Sequence, residues 1–249
     1  TLLNGKLQWP LSDTNQPSRE LVVDEIRTHV RFLPNDEWAL DNFRAQFAGA
    51  RFTLLGKIAH ASSIREWQFL HRREPATAGQ WRARLNRLAD FFENTQFSEP
   101  PEFRLNVRGD ARDLQSFSVR MMFSAPGAVT PWGTVHSGRL SARLEPATNG
   151  TLSKAFIVLE AGDAQSKWAN TTNFHLQVLV DSAEGQTNFV DAELLLEAEA
   201  AHTRWAISTN LHLNLRLLPV KGETNLVDAE IALRASRAET KWASGSDVN

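Results

Sequence analysis

Cysteine and tyrosine are both missing from these 249 residues. Without cysteine the chain has no disulfide and no thiolate metal site, so its stability rests on packing and hydrogen bonds. A basic excess is also lacking. Net charge is −2, which leaves nothing of the Lys/Arg stripe that a nucleic-acid binder needs. No apolar run is long enough for a membrane helix or a signal peptide. Three catalytic signatures are absent as well: a phosphate-cradling glycine loop, a nucleophile elbow and HExxH. The expectation is therefore a non-enzyme with no cofactor, no metal and no nucleic-acid partner.

What the chain does have is a repeat. Trp168, Trp205 and Trp242 follow one another at intervals of 37 residues, and whole blocks of sequence travel with them. WANTTNFHLQVLV…GQTNFVDAELLLEA and WAISTNLHLNLRL…GETNLVDAEIALRA agree at nearly half their positions. A fainter copy begins at Trp132, one residue short of the same spacing. A fixed period in this range marks an architecture in which each unit buries its apolar face by stacking on its neighbours. The final WASGSDVN aligns with WAISTNLH. Both ends of the chain are accordingly read as internal to a longer protein, and a leader or anchor is expected upstream.

Within each copy the period is two, which predicts β-strands with one apolar and one polar face. Phe174, Leu176, Val178 and Val180 alternate with His175, Gln177 and Leu179. One repeat later Leu211, Leu213, Leu215 and Leu217 alternate with His212, Asn214 and Arg216. The second strands match in the same way: Val190, Ala192, Leu194 and Leu196 align with Val227, Ala229, Ile231 and Leu233. Turn formers separate them, Asp181 to Gly185 in one copy and Pro219 to Gly222 in the next. Each copy is thus an antiparallel hairpin, and successive hairpins are expected to join in one sheet.

Upstream the pattern continues without the clean repeat. Phe103, Leu105 and Val107 precede a turn expected at Gly109-Asp110, and Phe117, Val119, Met121 and Phe123 follow it. Further strands are predicted around Leu140 to Leu144 and Ala155 to Ala161, and near the start around Ile26 to Phe32 and Phe43 to Phe47. Gly56 predicts a bend or bulge in the strand from Phe52 to Ile58. One stretch departs: Trp81, Leu85, Leu88 and Phe92 are spaced four, three and four, one stripe of an α-helix. The organisation expected is a β-segment at 1–62, a helical insert at 63–98 that packs on the apolar face, and β-repeats at 99–249. Roughly twelve strands at ~4.8 Å spacing would extend on the order of 60 Å.

Several residues invite sharper readings. His175 and His212 occupy equivalent repeat positions; they are read as solvated strand residues rather than a ligand column. Asp191 with Glu193, and Asp228 with Glu230, are read as a charged outer face, since no acidic loop accompanies them to hold calcium. In Arg108-Gly109-Asp110 the Gly-Asp pair is ordinary turn chemistry rather than an adhesion site. The repeated tryptophans are expected to pack at a sheet margin.

The long apolar face is the informative feature, because a sheet apolar on one side cannot leave that side in water. It closes into a barrel, pairs with a second sheet, or curls into an occupied groove. Aromatic girdles of a membrane barrel are not evident, and a groove grows naturally by tandem hairpins. The expected fold is therefore mainly β: an elongated, strongly curved antiparallel sheet, a repeating β-groove with one helical insert.

The runs EWALDNFRAQFAGARFTLLGKIAHAS and WRARLNRLADFF…PPEFRLNVRGDARDLQSFSV resemble the AsmA-like proteins of bacterial cell envelopes, relatives of TamB. The resemblance spans most of 5–125 and rests on patterns of strand, glycine and helix. It implies a β-groove protein of the periplasm, anchored in the inner membrane outside this segment. It further implies transport of phospholipid or another acyl lipid between inner and outer membranes in support of outer-membrane biogenesis, with envelope proteins as possible partners. Phe103 to Phe123 and the repeat residues named above are the expected groove lining. The alternative is a non-catalytic scaffold or interaction module of the envelope, its apolar face closed by protein.

Overall fold

In a computed structural model, residues 1–10, 20–67, 87, 89–146, 154–182, 190–219 and 227–248 are described; at 9, 10, 20, 21, 182, 190, 219 and 227 this holds for the backbone alone. They form fourteen strands, more than the twelve expected, in a mainly β architecture. Hydrogen-bonded order follows the chain from β1 to β4 and from β6 to β14, and β1 and β14 each pair on one side only. The sheet is open, not a barrel. The chain divides into two compact units, Thr1–Gln96 with Pro100–Phe117, and Phe97–Glu99 with Ser118–Asn249. Strand β7 (Asp113–Thr130) belongs to both.

The second unit is hairpin after hairpin. Beyond β7 come β8 (Gly133–Glu145), β9 (Lys154–Ser166), β10 (Ala169–Ser182), β11 (Val190–Thr203), β12 (Ala206–Pro219), β13 (Val227–Thr240) and β14 (Ser244–Val248). Every neighbouring pair is antiparallel. The turns expected at Asp181–Gly185 and Pro219–Gly222 fall largely outside the described residues.

At the opposite margin the turns share one chemistry. Thr130, Ser166, Thr203 and Thr240 each stand two residues before a tryptophan. The Thr203 hydroxyl accepts the N–H of Trp205 at 3.2 Å and of Ala206 at 3.0 Å, and donates to the Ala206 carbonyl at 3.1 Å. The other three turns repeat this set. One hydroxyl thereby satisfies three backbone groups that a turn would otherwise leave to water. Ala169, Ala206 and Ala243 are replaced in the first copy by Gly133, where a Cβ would lie 1.9 Å from the Gln165 carbonyl oxygen.

A second device recurs inside the strands. Ser137, Asn173, Asn210 and Asp247 all adopt left-handed backbone, with φ of 48–56°. They sit on β8, β10, β12 and β14 at intervals of 36, 37 and 37, level with Gly162, Glu199 and Ser236 on the strands between. Pairing skips each of these residues and resumes in the same register. Asn and Asp tolerate this conformation because their short polar side chains bond locally. Asn210 Nδ2 donates to Ser236 Oγ at 3.1 Å, and Asn173 donates to Glu199. Beside this line Ala125, Ala161, Ala198 and Ala235 are buried, again at intervals of 36 or 37.

The first unit is built differently. Strands β1 (Leu2–Pro10), β2 (Glu20–Leu33), β3 (Glu37–Phe47) and β4 (Ala50–Ala59) form an antiparallel meander. A 3-10 turn at Ala61–Glu66 follows, then helical residues 89–93, the short β5 (Gln96–Phe97) and β6 (Glu102–Asp110). β6 runs parallel to β4, with Phe52 beside Phe103 and Leu54 beside Leu105. The expectation of purely antiparallel pairing fails at this junction. The cause is the insert: a connection of this length returns the chain to the same end of the sheet, which a hairpin cannot do.

Trp81, Leu85 and Leu88 of the predicted helical stripe lie outside the described residues. Phe92 is helical and buried, its ring edge-on to Phe47 and Phe52 with centroids 6.3 Å away in both cases. At Phe92 the insert packs on the sheet. The bulge predicted at Gly56 instead lies on the opposing β3, where Asp41 is the extra residue against both β2 and β4. Its carboxylate meets the Arg31 guanidinium, Nη2 to Oδ1 at 2.7 Å. The turn after β6 falls at Ala111-Arg112, two residues later than expected. Gly109 stays in the strand because the Phe117 ring crosses it, 2.7 Å from where a Cβ would be. Asp110 then starts the turn by accepting the Arg112 N–H at 3.0 Å.

Candidate functional site: an apolar face of aligned rows

Directly paired residues of a sheet project from the same face, so the register tests whether the expected lining converges. In the second unit it does. One row runs Phe123, Leu140, Leu159, Leu176, Leu196, Leu213, Leu233, one residue per strand from β7 to β13. The next row runs Met121, Ala142, Ile157, Val178, Leu194, Leu215, Ile231. A third joins Val119 through Leu144, Ala155, Val180 and Ala192 to Leu217 and Ala229. Phe174 faces Ala161 and Leu211 faces Ala198, one step nearer the left-handed line. Val190 and Val227 are strand residues of β11 and β13 whose side chains lie outside the description.

Burial decides what this face is. No side chain in the three rows is buried; Leu159 remains 38 % exposed and Ile231 70 %. The inner face of a sandwich would bury such leucines against a second sheet. Here the buried residues of the unit are chiefly alanines. Among the described residues no second layer buries the aliphatic side chains of these rows from β8 to β13.

The opposite face is mixed: apolar residues such as Val158, Leu179 and Leu195 share it with charged ones. Arg139, Glu160, His175, Glu197, His212 and Arg234 form one cross-strand row. His212 Nδ1 lies 2.9 Å from Glu197 Oε1, and His175 Nδ1 lies 3.6 Å from Glu160. His175 thus sits between Glu160 and Glu197, and His212 between Glu197 and Arg234. Asp191 and Glu193 lie exposed on the same face, as do Asp228 and Glu230. Among the described residues no three metal-competent side chains converge.

In the first unit the expected lining meets protein. Phe103 contacts Phe52, centroids 5.3 Å apart, and Phe52 in turn meets Phe92. Phe117 is capped by Trp67, whose ring centroid is 5.8 Å away and whose indole N–H donates to the Ala111 carbonyl at 2.7 Å. Leu105 pairs with Leu54 and Val107 with Gly56 between them. Arg108-Gly109-Asp110 is engaged in the fold: Gly109 makes room for Phe117, and Asp110 lies 2.8 Å from His60 Nδ1.

Compared with family models, curated proteins and solved structures, the chain matches none.

The tryptophans depart from the expected packing. Trp132, Trp168 and Trp205 are 51–58 % exposed and Trp242 is 84 % exposed, although all four sit at the expected margin. The repeated Ser or Thr two residues before each tryptophan was the available signal that the turn is held by a hydroxyl and leaves the indole free.

Proposed function

We propose that the apolar face of the second unit holds acyl chains, and that the protein carries phospholipid or a similar lipid along it between membranes of a bacterial envelope. The observation that supports this is the triple row of aliphatic side chains, aligned across the six strands from β8 to β13, none of them buried. Moving a lipid with about 30 methylenes through water would expose surface costing roughly 24 kcal/mol. An aliphatic track removes most of that barrier without any reacting group. The resemblance to AsmA-like proteins supports the same reading, together with a periplasmic location.

A specific observation favours the rival reading for the first unit. There Phe92 and Trp67 from the insert pack onto the sheet, which is what a scaffold or plug would do.

The test is photo-crosslinking from Leu176, Leu194, Leu213 and Ile231 to labelled phospholipid, combined with one charge placed on each face. Leu213→Asp puts a carboxylate in the middle of the first row, where desolvation costs several kcal/mol, and is expected to abolish labelling and transport. Asn214→Asp lies one residue away on the opposite face. It adds a like charge beside Glu193, whose carboxylate the Asn214 amide now meets at 3.2 Å, and costs only a few tenths of a kcal/mol. Equal transport by folded forms of both variants would sink the conduit.

A further inference from the structure

The hairpin margin that carries the tryptophans has a chemistry of its own. Trp132, Trp168, Trp205 and Trp242 stand at the four turns β7–β8, β9–β10, β11–β12 and β13–β14, and all four turns close the same end of their hairpins. Two strands separate successive indoles, about 9.6 Å, so the row runs on the order of 29 Å. Each indole is at least half exposed, and Val129 and Ile207 beside them are 49 % and 43 % exposed. Turn tips need no aromatic residue, since the Ser or Thr hydroxyl already satisfies the backbone.

Lys167, Arg204 and Lys241 each directly precede one of these tryptophans. The Lys167 ammonium lies 4.4 Å from the Trp168 ring centre and the Arg204 guanidinium 4.1 Å from that of Trp205. From His202 to Ile207, and likewise from Gln165 to Asn170, no acidic residue offsets the cation. At the last turn Glu239 is held by Arg237 at 3.1 Å. The margin therefore presents flat amphipathic rings with positive charges at the same level. That combination matches the boundary zone of a bilayer, where indoles rest among headgroups and cations meet lipid phosphates. A protein partner would want these rings set in a packed pocket with an acidic or apolar counterpart, whereas the indoles stand exposed on turn tips.

We propose that this tryptophan–cation margin is a membrane-docking edge that lays the second unit against the headgroup layer of an anionic phospholipid bilayer. The edge is separate from the aliphatic rows, and its function does not depend on lipid travelling along them.

Vesicle flotation tests it, with vesicles of phosphatidylcholine alone and of phosphatidylcholine with one quarter phosphatidylglycerol, at low and high salt. The protein is expected to bind the anionic vesicles at least about tenfold more tightly than the neutral ones, with binding weakened by salt. The triple variant Lys167→Glu, Arg204→Glu, Lys241→Glu is expected to lose that preference. Trp168→Gln with Trp205→Gln is expected to weaken binding to both vesicle types. Neither set should alter crosslinking of lipid monomers at Leu213, which separates this edge from the conduit. Wild-type protein that ignores anionic vesicles overturns the proposal, as does undiminished binding by the rim variants when Leu213→Asp alone abolishes it. Circular dichroism of each variant establishes that the sheet is intact.

Discussion

Among the described residues the first unit covers part of its sheet, while no second layer covers the aliphatic rows of the second. In the first, an insert between β4 and β6 supplies Trp67, Ala89 and Phe92, and the sheet answers with Phe47, Phe52, Phe103 and Phe117. Ala89, Phe92 and Pro101 become buried, and a small aromatic core results. In the second, seven strands carry leucine, valine and isoleucine in register, yet only small residues are buried deeply. The difference is one of connection. A hairpin adds two strands and no covering layer, so a tandem of hairpins multiplies accessible aliphatic surface. A long crossover brings its own cover. Regular repetition and an unoccupied face thus come together, and the interruption of the repeat is where ordinary folding chemistry returns.

The widest gap between the units should appear on truncating one apolar side chain in each. Phe92→Ala removes a buried ring that meets Phe47, Phe52 and Phe91, and is expected to cost about 3–5 kcal/mol. Leu213→Ala removes a half-buried side chain that borders open surface, and is expected to cost about 1–2 kcal/mol. Urea unfolding followed by hydrogen exchange in β4 and in β12 measures both. Equal losses would mean that the leucine rows are covered in solution.

How much of this was legible follows from what each face meets. The hairpins of the second unit were plain in the sequence because water on one side and aliphatic side chains on the other enforce alternation, as in Phe174 to Val180 and Leu211 to Leu217. The matched rows followed from that alternation and the 37-residue period. The parallel pairing of β4 with β6 was not legible, since either pairing buries the same residues and only the path of the insert decides. The left-handed line left a signal that alternation hides: Thr172-Asn173 and Thr209-Asn210 place asparagine at equivalent mid-strand positions, where its main advantage over a β-former is tolerance of positive φ. The 37-residue spacing placed each tryptophan at the margin but gave no sign that the indole is left exposed there. Its neighbours Thr203 and Ser166 carry the turn instead.

That division of labour within the turns supports a smaller contrast. Thr203→Val keeps the shape of the side chain and deletes the hydroxyl that serves three backbone groups, so it is expected to cost about 1 kcal/mol. Trp205→Ala, two residues on, removes a half-exposed ring and should stay within about 0.5 kcal/mol. Thermal unfolding of the two variants side by side tests the assignment. If the tryptophan variant proved the more damaging, the indoles would be structural and the docking edge would lose its footing.

The smallest effect concerns acid and falls on the first unit. Asp36, Asp41 and Asp110 all hold their protons less tightly than an ordinary aspartate. For Asp36 the cause is donation from the Ser62 hydroxyl and then from its backbone N–H, for Asp41 the Arg31 guanidinium, and for Asp110 the backbone N–H of Arg112 and then His60. A carboxylate whose folded pKa is depressed contributes stability that is present above its unfolded value near 3.9 and lost as pH falls through the folded value. The first unit should therefore weaken below about pH 4. Because all three groups are solvent-accessible, the loss is modest and screened by salt. Asp110 ties the end of β6 to His60 after β4, so it matters most to the parallel junction. Urea midpoints for the first unit between pH 5 and pH 2.5 should fall in the wild type and flatten in the combined Asp36→Asn, Asp41→Asn, Asp110→Asn variant, which starts lower at neutral pH. A variant that keeps the full acid dependence would show that other carboxylates carry it, and that the junction is held by Phe92 and its aromatic neighbours rather than by these contacts.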